Sequence, residues 1–418
     1  MSNTIIHKTS SVAGKVPETT DLSLGELATN TNDGLLFLKK DDGVEEIVTI
    51  GQLAHDFLPP ETRIQFPRNK PLPNGWYNLA DAEFGPLLSI TNVTSDDMIL
   101  RVKTDNAGVS TSSQMLLPGR TFRDYDFTID WGDGTVEALD NTDFTAVSGI
   151  DGFLHTYSSA GTYTIRINGI YDELYFTGQG DEEKLVEFAN WGDIPFHRLE
   201  FAFKGCVNCY FTFGDNPNVG PRDDAIDQLF NGCDLFNANV TGWDLSSTSG
   251  DMDYVFLGCS LFEGVGLETW DVSGVVSMRS MFAGADIMNR DISGWDVSSV
   301  TDFRDTFDNA KAFNIDISGW DVSSATTMED MFFAASDFNQ SLGDWDISSV
   351  TDMTEMLDFT DLSTDNYDDT LIGWAAQTVQ PNVTLGATNL EYTSAATSAR
   401  NTLTSAPNNW TINGDTLV

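Results

Sequence analysis

FDNAKAFNIDISGWDVSSATTMEDM, residues 307–331, is one turn of a pattern that runs through the second half of the chain. Its Trp-Asp pair recurs at Trp243, Trp270, Trp295, Trp320 and Trp345, at intervals of 27, 25, 25 and 25 residues. Between the pairs lies a second mark, Phe-x-Gly-Cys or Phe-x-x-Ala. It is headed by Phe203, Phe230, Phe256, Phe282, Phe307 and Phe332. A fixed period of roughly 20–50 residues means one supersecondary unit stacked on copies of itself, burying together a core that no single copy can bury alone. Within the quoted unit, FNIDISGWDV reads as a strand, with Trp320 and Val322 on one face and Asp321 on the other. SSATTMEDMFFAA reads as a short helix. Met328, Met331 and Phe332 form its apolar stripe, and Thr326 with Glu329 form a capping box.

Alternation with Val272, Val297, Val322 and Ile347 turns the tryptophans inward, so the Trp and Phe columns read as core rather than as an exposed glycan platform. WD-repeat propellers are rejected, because their blades need ~40–45 residues. Asp244, Asp271, Asp296, Asp321 and Asp346 then form an outward ladder, in which like charges about 4.8 Å apart repel. A Ser-Ser pair follows most of them, so each carboxylate is expected to accept hydrogen bonds in an Asx-turn. Calcium bridging along Asp271, Asp296, Asp321 and Asp346, or contact of this face with a receptor, are the functional alternatives. Cys206, Cys233 and Cys259 fill the small slot later held by Ala285, Ala310 and Ala335. Cys209 falls where Phe236, Phe262, Phe313 and Phe338 sit. All four therefore read as buried packing residues rather than disulfides or metal ligands.

The chain has 418 residues, long enough for two or three domains, and its 40% hydrophobic content is that of a folded protein. Its 21 basic and 64 acidic side chains leave a net charge of −43. Such a surface repels nucleic acid and anionic lipid and keeps the protein soluble by self-repulsion. MSNTIIHKTSSVAGK has no apolar core of signal-peptide length, and no stretch reaches the ~20 apolar residues of a membrane span. Neither nucleic acid nor membrane insertion is expected.

Five segments are expected. Residues 1–62 alternate apolar runs with Asn32-Asp33-Gly34 and Asp42-Gly43, signals of β-hairpins whose strands include Leu35–Leu38 and Ile47–Ile50. So small a module needs a partner. Residues 63–89, with FPRNKPLPNGW, read as a proline-stiffened linker. Residues 90–178 read as a β-sandwich whose strands include Ile99–Val102, Phe127–Ile129 and Thr162–Ile167. Residues 179–372 hold the repeats and 373–418 a cap, with a helix over SAATSARNTLTSA and a last strand in NWTINGDTLV. The fold class is therefore mixed α/β, multidomain, with a repeat solenoid.

Asp130 and Asp133 in DWGDG read as turn formers, the full ligand set of a calcium loop being absent. The histidines, His7, His55, His155 and His197, are scattered, and no His-x-x-x-His pair, Gly-x-Ser-x-Gly elbow or phosphate loop occurs. No enzyme is expected and no cofactor is implied, calcium apart.

MRSMFAGADIMNRDISGWDVSSVTDF (278–303) and MEDMFFAASDFNQSLGDWDISSVTDM (328–353) carry a resemblance to the BspA-like leucine-rich-repeat surface proteins of bacteria and phages. The resemblance covers roughly residues 185–372 and implies an LRR-like solenoid used in adhesion, with no catalytic residues. DYDFTIDWGDGTVE with HTYSSAGTYTIRING resembles the PKD-like β-sandwich often found upstream in that family. SSVAGKVPETTDLSLGELATNTNDGLLFLKK (10–40) is similar to the first module of phage tail-fibre proteins, where it attaches the fibre to the particle. Together these imply a virion fibre or adhesin on the tail or capsid surface. Residues 1–62 would bind other virion proteins, and the repeats would bind a host surface glycan or protein. A homo-oligomer is expected, a trimer from the resemblance. The rival readings are a capsid decoration or head-fibre protein and a polysaccharide depolymerase.

Overall fold

The computed structural model describes residues 96–219, 226–245 and 250–418, together with the strands at 7–10, 27–30, 35–41, 45–52 and 77–78. The chain divides into two compact units, Met1–Val93 and Thr94–Val418.

In the first unit five strands form one sheet. Leu27–Asn30, Leu35–Asp41 and Glu45–Gln52 pair antiparallel in sequence order. His7–Ser10 lies parallel to Leu27–Asn30, and Tyr77–Asn78 pairs antiparallel with its other edge. The expected hairpin module is thus a larger sheet that takes one strand from the stretch read as linker. The expected turns at Asn32-Asp33-Gly34 and Asp42-Gly43, His55 and most of FPRNKPLPNGW lie outside the described residues.

The second unit opens with two sheets. A six-stranded sheet contains Met98–Lys103, Tyr125–Asp130, Val136–Asp140, Thr162–Tyr171, Leu185–Asn190 and Tyr210–Phe211. A three-stranded sheet contains Gln114–Pro118, Thr145–Val147 and Ile150–Thr156. They meet through edge-on aromatic contacts, Phe127 to Phe153 at 4.9 Å and Tyr125 to Phe153 at 5.4 Å between ring centres. Tyr171 donates its hydroxyl proton to the Pro118 carbonyl at 2.6 Å, joining the two sheets. The six-stranded sheet extends past residue 178, because Leu185–Asn190 pairs with Met98–Lys103 and carries Tyr210–Phe211 on its far side. One continuous core connects these sheets with the repeats.

The expected mixed α/β class, with its strand-and-helix LRR-like solenoid, is overturned. Among the described residues there are two α-helices, α1 (Thr364–Ala375) and α2 (Thr397–Thr404), both beyond the regular repeats. The remainder is strands and turns in several small sheets, so the fold is mostly β. Met328, Met331 and Phe332 are fully buried, but they lie in turns and not in a helix. The reason is a competition for main-chain donors. Met328, Asp330, Phe332 and Ala334 give their N–H groups to the carbonyls of Asp352, Thr354, Met356 and Asp358, at 2.8–3.0 Å. Those groups are then not available to an i to i−4 ladder. The intervening N–H groups of Met331, Phe333 and Ala335 close three-residue turns onto Met328, Asp330 and Phe332. Asp330 and Ala334 sit at φ +54°, the left-handed region, which breaks any α-helix.

The same four-residue spacing of left-handed positions recurs at Gln228 and Gly232, Tyr254 and Gly258, Ser280 and Gly284, and Asp305 and Asn309. The expected capping box is absent. Thr326 donates both its N–H and its hydroxyl to Thr301 O of the preceding repeat. The strand expected over FNIDISGWDV is also displaced. Ser318-Gly319 and Ser323-Ser324 are turns, and the parallel bridges between repeats run through Ser277, Asp302, Thr327 and Asp352.

Beyond residue 363 the chain closes the stack. Ser363 caps α1 by accepting the Asn366 N–H, and Thr384–Gly386 and Glu391–Tyr392 pair parallel with Thr411–Asn413 and Thr416–Leu417. The single last strand expected in NWTINGDTLV is therefore two short ones.

Candidate functional site: the repeat face

Each sequence-predicted repeat residue has a defined place. Phe230, Phe256, Phe282, Phe307 and Phe332 are fully buried and stack in one file, their ring centres 5.6–5.8 Å apart along it. Trp243, Trp270, Trp295, Trp320 and Trp345 are buried beside them, none more than 6% exposed. The indoles have a second role. Nε1 of Trp270, Trp295, Trp320 and Trp345 donates to the carbonyl of Val240, Leu267, Ile292 and Ile317 respectively, 2.9–3.1 Å away in the preceding repeat. Trp374 in α1 extends the series to Leu342 O. At the head of the column Trp243 Nε1 finds no acceptor among the described residues.

The aspartates of the Trp-Asp pairs are exposed. Oδ1 of Asp271, Asp296 and Asp321 accepts both the N–H, at 3.1 Å, and the hydroxyl, at 2.6–2.7 Å, of the serine two residues on. Asp346 accepts the Ser348 N–H at 3.0 Å. The hydroxyl first and the N–H second hold the Asp296 carboxyl below the usual carboxylate range through Ser298, and the Asp346 carboxyl through Ser348. The carboxylates of Asp271, Asp296, Asp321 and Asp346 are thus each engaged by their own turn. Sequence reading missed a parallel column five residues earlier, where Asp291 and Asp316 accept the N–H of Ser293 and Ser318. It was signalled by the Asp-x-Ser spacing in DISGWDVSS.

A third column was also missed. The side-chain carbonyl of Asn289 accepts the Asn314 N–H at 3.0 Å, that of Asn314 the Asn339 N–H at 2.9 Å, and that of Asn339 the Ser363 N–H at 2.8 Å. These amides join successive repeats. Threonine hydroxyls do the same on the bridge side, Thr326 to Thr301 O and Thr351 to Thr326 O, both at 3.0 Å. Asp, Ser, Thr and Asn side chains therefore recur at fixed positions on a backbone tied by main-chain hydrogen bonds.

The other sequence candidates lie apart from this face. In DWGDG, Asp130 accepts the Gly132 N–H and Asp133 the Thr135 N–H, each at 2.9 Å, and Asp133 Oδ2 meets His155 Nε2 at 3.0 Å. Burial pushes the Asp133 carboxyl up, but the His155 ring and Thr135 outweigh it and hold the group below its ordinary range. Cys206, Cys209, Cys233 and Cys259 are free thiols, fully buried. Cys233 and Cys259 donate to Phe203 O and Phe230 O. Burial raises all four. Among the described residues no group of three or more His, Cys, Asp or Glu side chains is placed to hold a metal ion, and no helix is long and apolar enough to cross a membrane.

Residues 224–264 and 250–374 match a family described as "Mycoplasma protein of unknown function, DUF285". The match falls on the stacked repeats and fits a surface-repeat protein. No curated protein and no solved structure matches the chain.

Proposed function

We propose that the protein is a phage virion fibre or adhesin that recognises the host cell surface through its stacked repeats. The observation that carries this reading is the repeat face itself. Asp-x-Ser turns, threonines and asparagines are displayed in columns on a backbone whose repeats are hydrogen-bonded to one another. Such a periodic polar surface suits a periodic ligand, such as a cell-surface glycan, where many weak contacts add and several copies per particle multiply them. The surface-repeat family match over residues 224–374 supports the same use. The resemblance of SSVAGKVPETTDLSLGELATNTNDGLLFLKK to the attachment module of tail fibres, and of residues 124–169 to a PKD-like domain, supports a place on the particle. In this reading residues 1–62 bind other virion proteins and the fibre is a homotrimer.

The test is competition. Purified full-length protein is expected to bind cells of the host saturably and to block adsorption of the particle that carries it. Removal of residues 1–62 is expected to free the protein from particles without loss of cooperative melting. Presence on the particle with no cell binding would transfer the protein to a capsid decoration or head-fibre role. Absence from the particle would overturn both.

A further inference from the structure

Glu200, Asp227 and Asp253 occupy one position of three successive repeats. The register is fixed by the main chain, where Phe201 N donates to Asp227 O at 3.0 Å and Gln228 N donates to Asp253 O at 2.9 Å. Three carboxyl groups are thereby stacked at a spacing where like charges in register repel. The two outer ones are neutralised or bonded. Glu200 Oε2 takes Arg198 Nη1 and, at 3.5 Å, Arg120 Nη2. Asp253 Oδ1 takes the Ser277 hydroxyl at 2.5 Å and the Arg279 N–H at 2.9 Å.

The middle one lacks such support. Asp227 Oδ1 is buried with no hydrogen-bond partner among the described residues, and Oδ2 has only the Gln228 side-chain amide at 3.5 Å. Gln228 is itself held by Lys204, whose ammonium reaches Gln228 Oε1 at 2.7 Å. The Arg279 guanidinium lies 3.9 Å from Asp305, one repeat further along. Among the described residues, the charged groups that act most on Asp227 are Asp253 and Asp251 from the following repeat and Glu200 from the preceding one. A half-buried anion with a bare oxygen between other anions is costly, and a proton removes the charge.

We propose that Asp227 holds a proton in mildly acidic solution, and that its release as the pH rises through neutrality loosens the joint between the repeat carrying Asp227 and the one carrying Asp253. The stack thereby contains a pH-sensitive contact near its first regular repeats. Burial first, and the Asp253 carboxylate second, push the Asp227 carboxyl up to about 7. The sign follows. A folded-state value above the unfolded one means that this group's stabilisation is complete below the ordinary 3.8 and is lost as pH rises from there through about 7.

The test is the melting temperature of the full-length protein from pH 4 to pH 9, for the natural chain and for Asp227→Asn, a neutral isostere of the protonated acid. The natural chain is expected to lose melting temperature between pH 4 and neutrality, with Asp227→Asn matching it at pH 4 and exceeding it at pH 9. Parallel profiles for the two proteins would overturn the proposal. Should Asp227→Asn not fold, Asp253→Asn serves instead. Removing the neighbouring charge is expected to move the inflection of the natural profile to lower pH, and an unmoved inflection overturns the assignment. Restoration of the natural chain at pH 9 by added calcium, absent in Asp227→Asn, would also overturn it, because the bare oxygen would then serve a cation.

Discussion

The indole Nε1 of Trp295 donates a 2.9 Å hydrogen bond to the main-chain carbonyl of Leu267, one repeat earlier, while the ring stays 6% exposed against the core. The tryptophan is therefore a packing residue and also a cross-link between repeats. Trp295→Ala is expected to cost roughly 3–5 kcal/mol, the range for large buried aromatics. Trp295→Phe keeps most of the apolar contact but leaves Leu267 O without its donor, at a cost of about 1–3 kcal/mol. Denaturant midpoints of the two variants measure the split. An unchanged melting curve for Trp295→Ala with weaker cell binding would place the indole on the working surface instead.

Left-handed positions give a pair of predictions of opposite sign. Gly258 and Ala334 occupy the same slot of their repeats, at φ +74° and +54°. A side chain in this region costs roughly 1–2 kcal/mol. Gly258→Ala is expected to destabilise by about that amount, since the added Cβ meets only ordinary contact with Gly232 Cα at 3.8 Å. Ala334→Gly is expected to stabilise, by less than about 1 kcal/mol, because glycine loses more backbone freedom on folding. Urea titrations of both variants are the measurement. Destabilisation by Ala334→Gly would mean that its methyl contact outweighs the strain.

These positions also explain what the sequence disclosed and what it concealed. The period was legible because stacking places a Trp and a Phe in the same slot every 25 residues, and Phe307 on Phe332 at 5.6 Å is the direct result. The burial of Met328, Met331 and Phe332 was legible for the same reason. Their conformation was not. An i, i+3, i+4 stripe is shared by a helix and by two successive tight turns, and the choice lies in hydrogen bonds to residues 352–358, which no local pattern reveals. The Asn289, Asn314 and Asn339 column could have been found, since all three follow an apolar residue at the same point of the period. The Glu200, Asp227 and Asp253 column could also have been found, since each stands three residues before Phe203, Phe230 and Phe256, but which of the three lacks a partner depends on side-chain contacts that no sequence pattern reveals.

The thiols offer a simple check on the buried column. Cys206, Cys209, Cys233 and Cys259 are unpaired and inaccessible, with their ionisation suppressed by burial. Reductant is expected to leave the melting temperature unchanged. A thiol-reactive probe is expected to label none of the four until denaturant unfolds the chain, as read by intact mass. Rapid labelling in native buffer would refute their placement.

Asp330 carries the arrangement of Asp227 into the middle of the stack. It lies in register between Asp305 and Glu355, since Asp305 N donates to Glu329 O and Asp330 N to Thr354 O. Burial first, then the neighbouring Asp305, Glu355, Glu329 and Asp308, push its carboxyl up to about 6 from an ordinary 3.8. A raised folded-state value means that the stabilisation is complete below the ordinary value and disappears as pH rises through about 6. Asp330→Asn is therefore expected to melt at the same temperature as the natural chain at pH 4 and at a higher one at pH 8. The gap should shrink in high salt, which screens a group as exposed as this one. The exposed Asp296 runs the other way. The Ser298 hydroxyl and N–H lower its carboxyl, so its contribution is lost on acidification, and Ser298→Ala should blunt the acid limb of the profile while leaving the limb above pH 6 in place. Equal shifts of both limbs by either substitution would show that general charge repulsion, and not these two sites, sets the pH response of the stack.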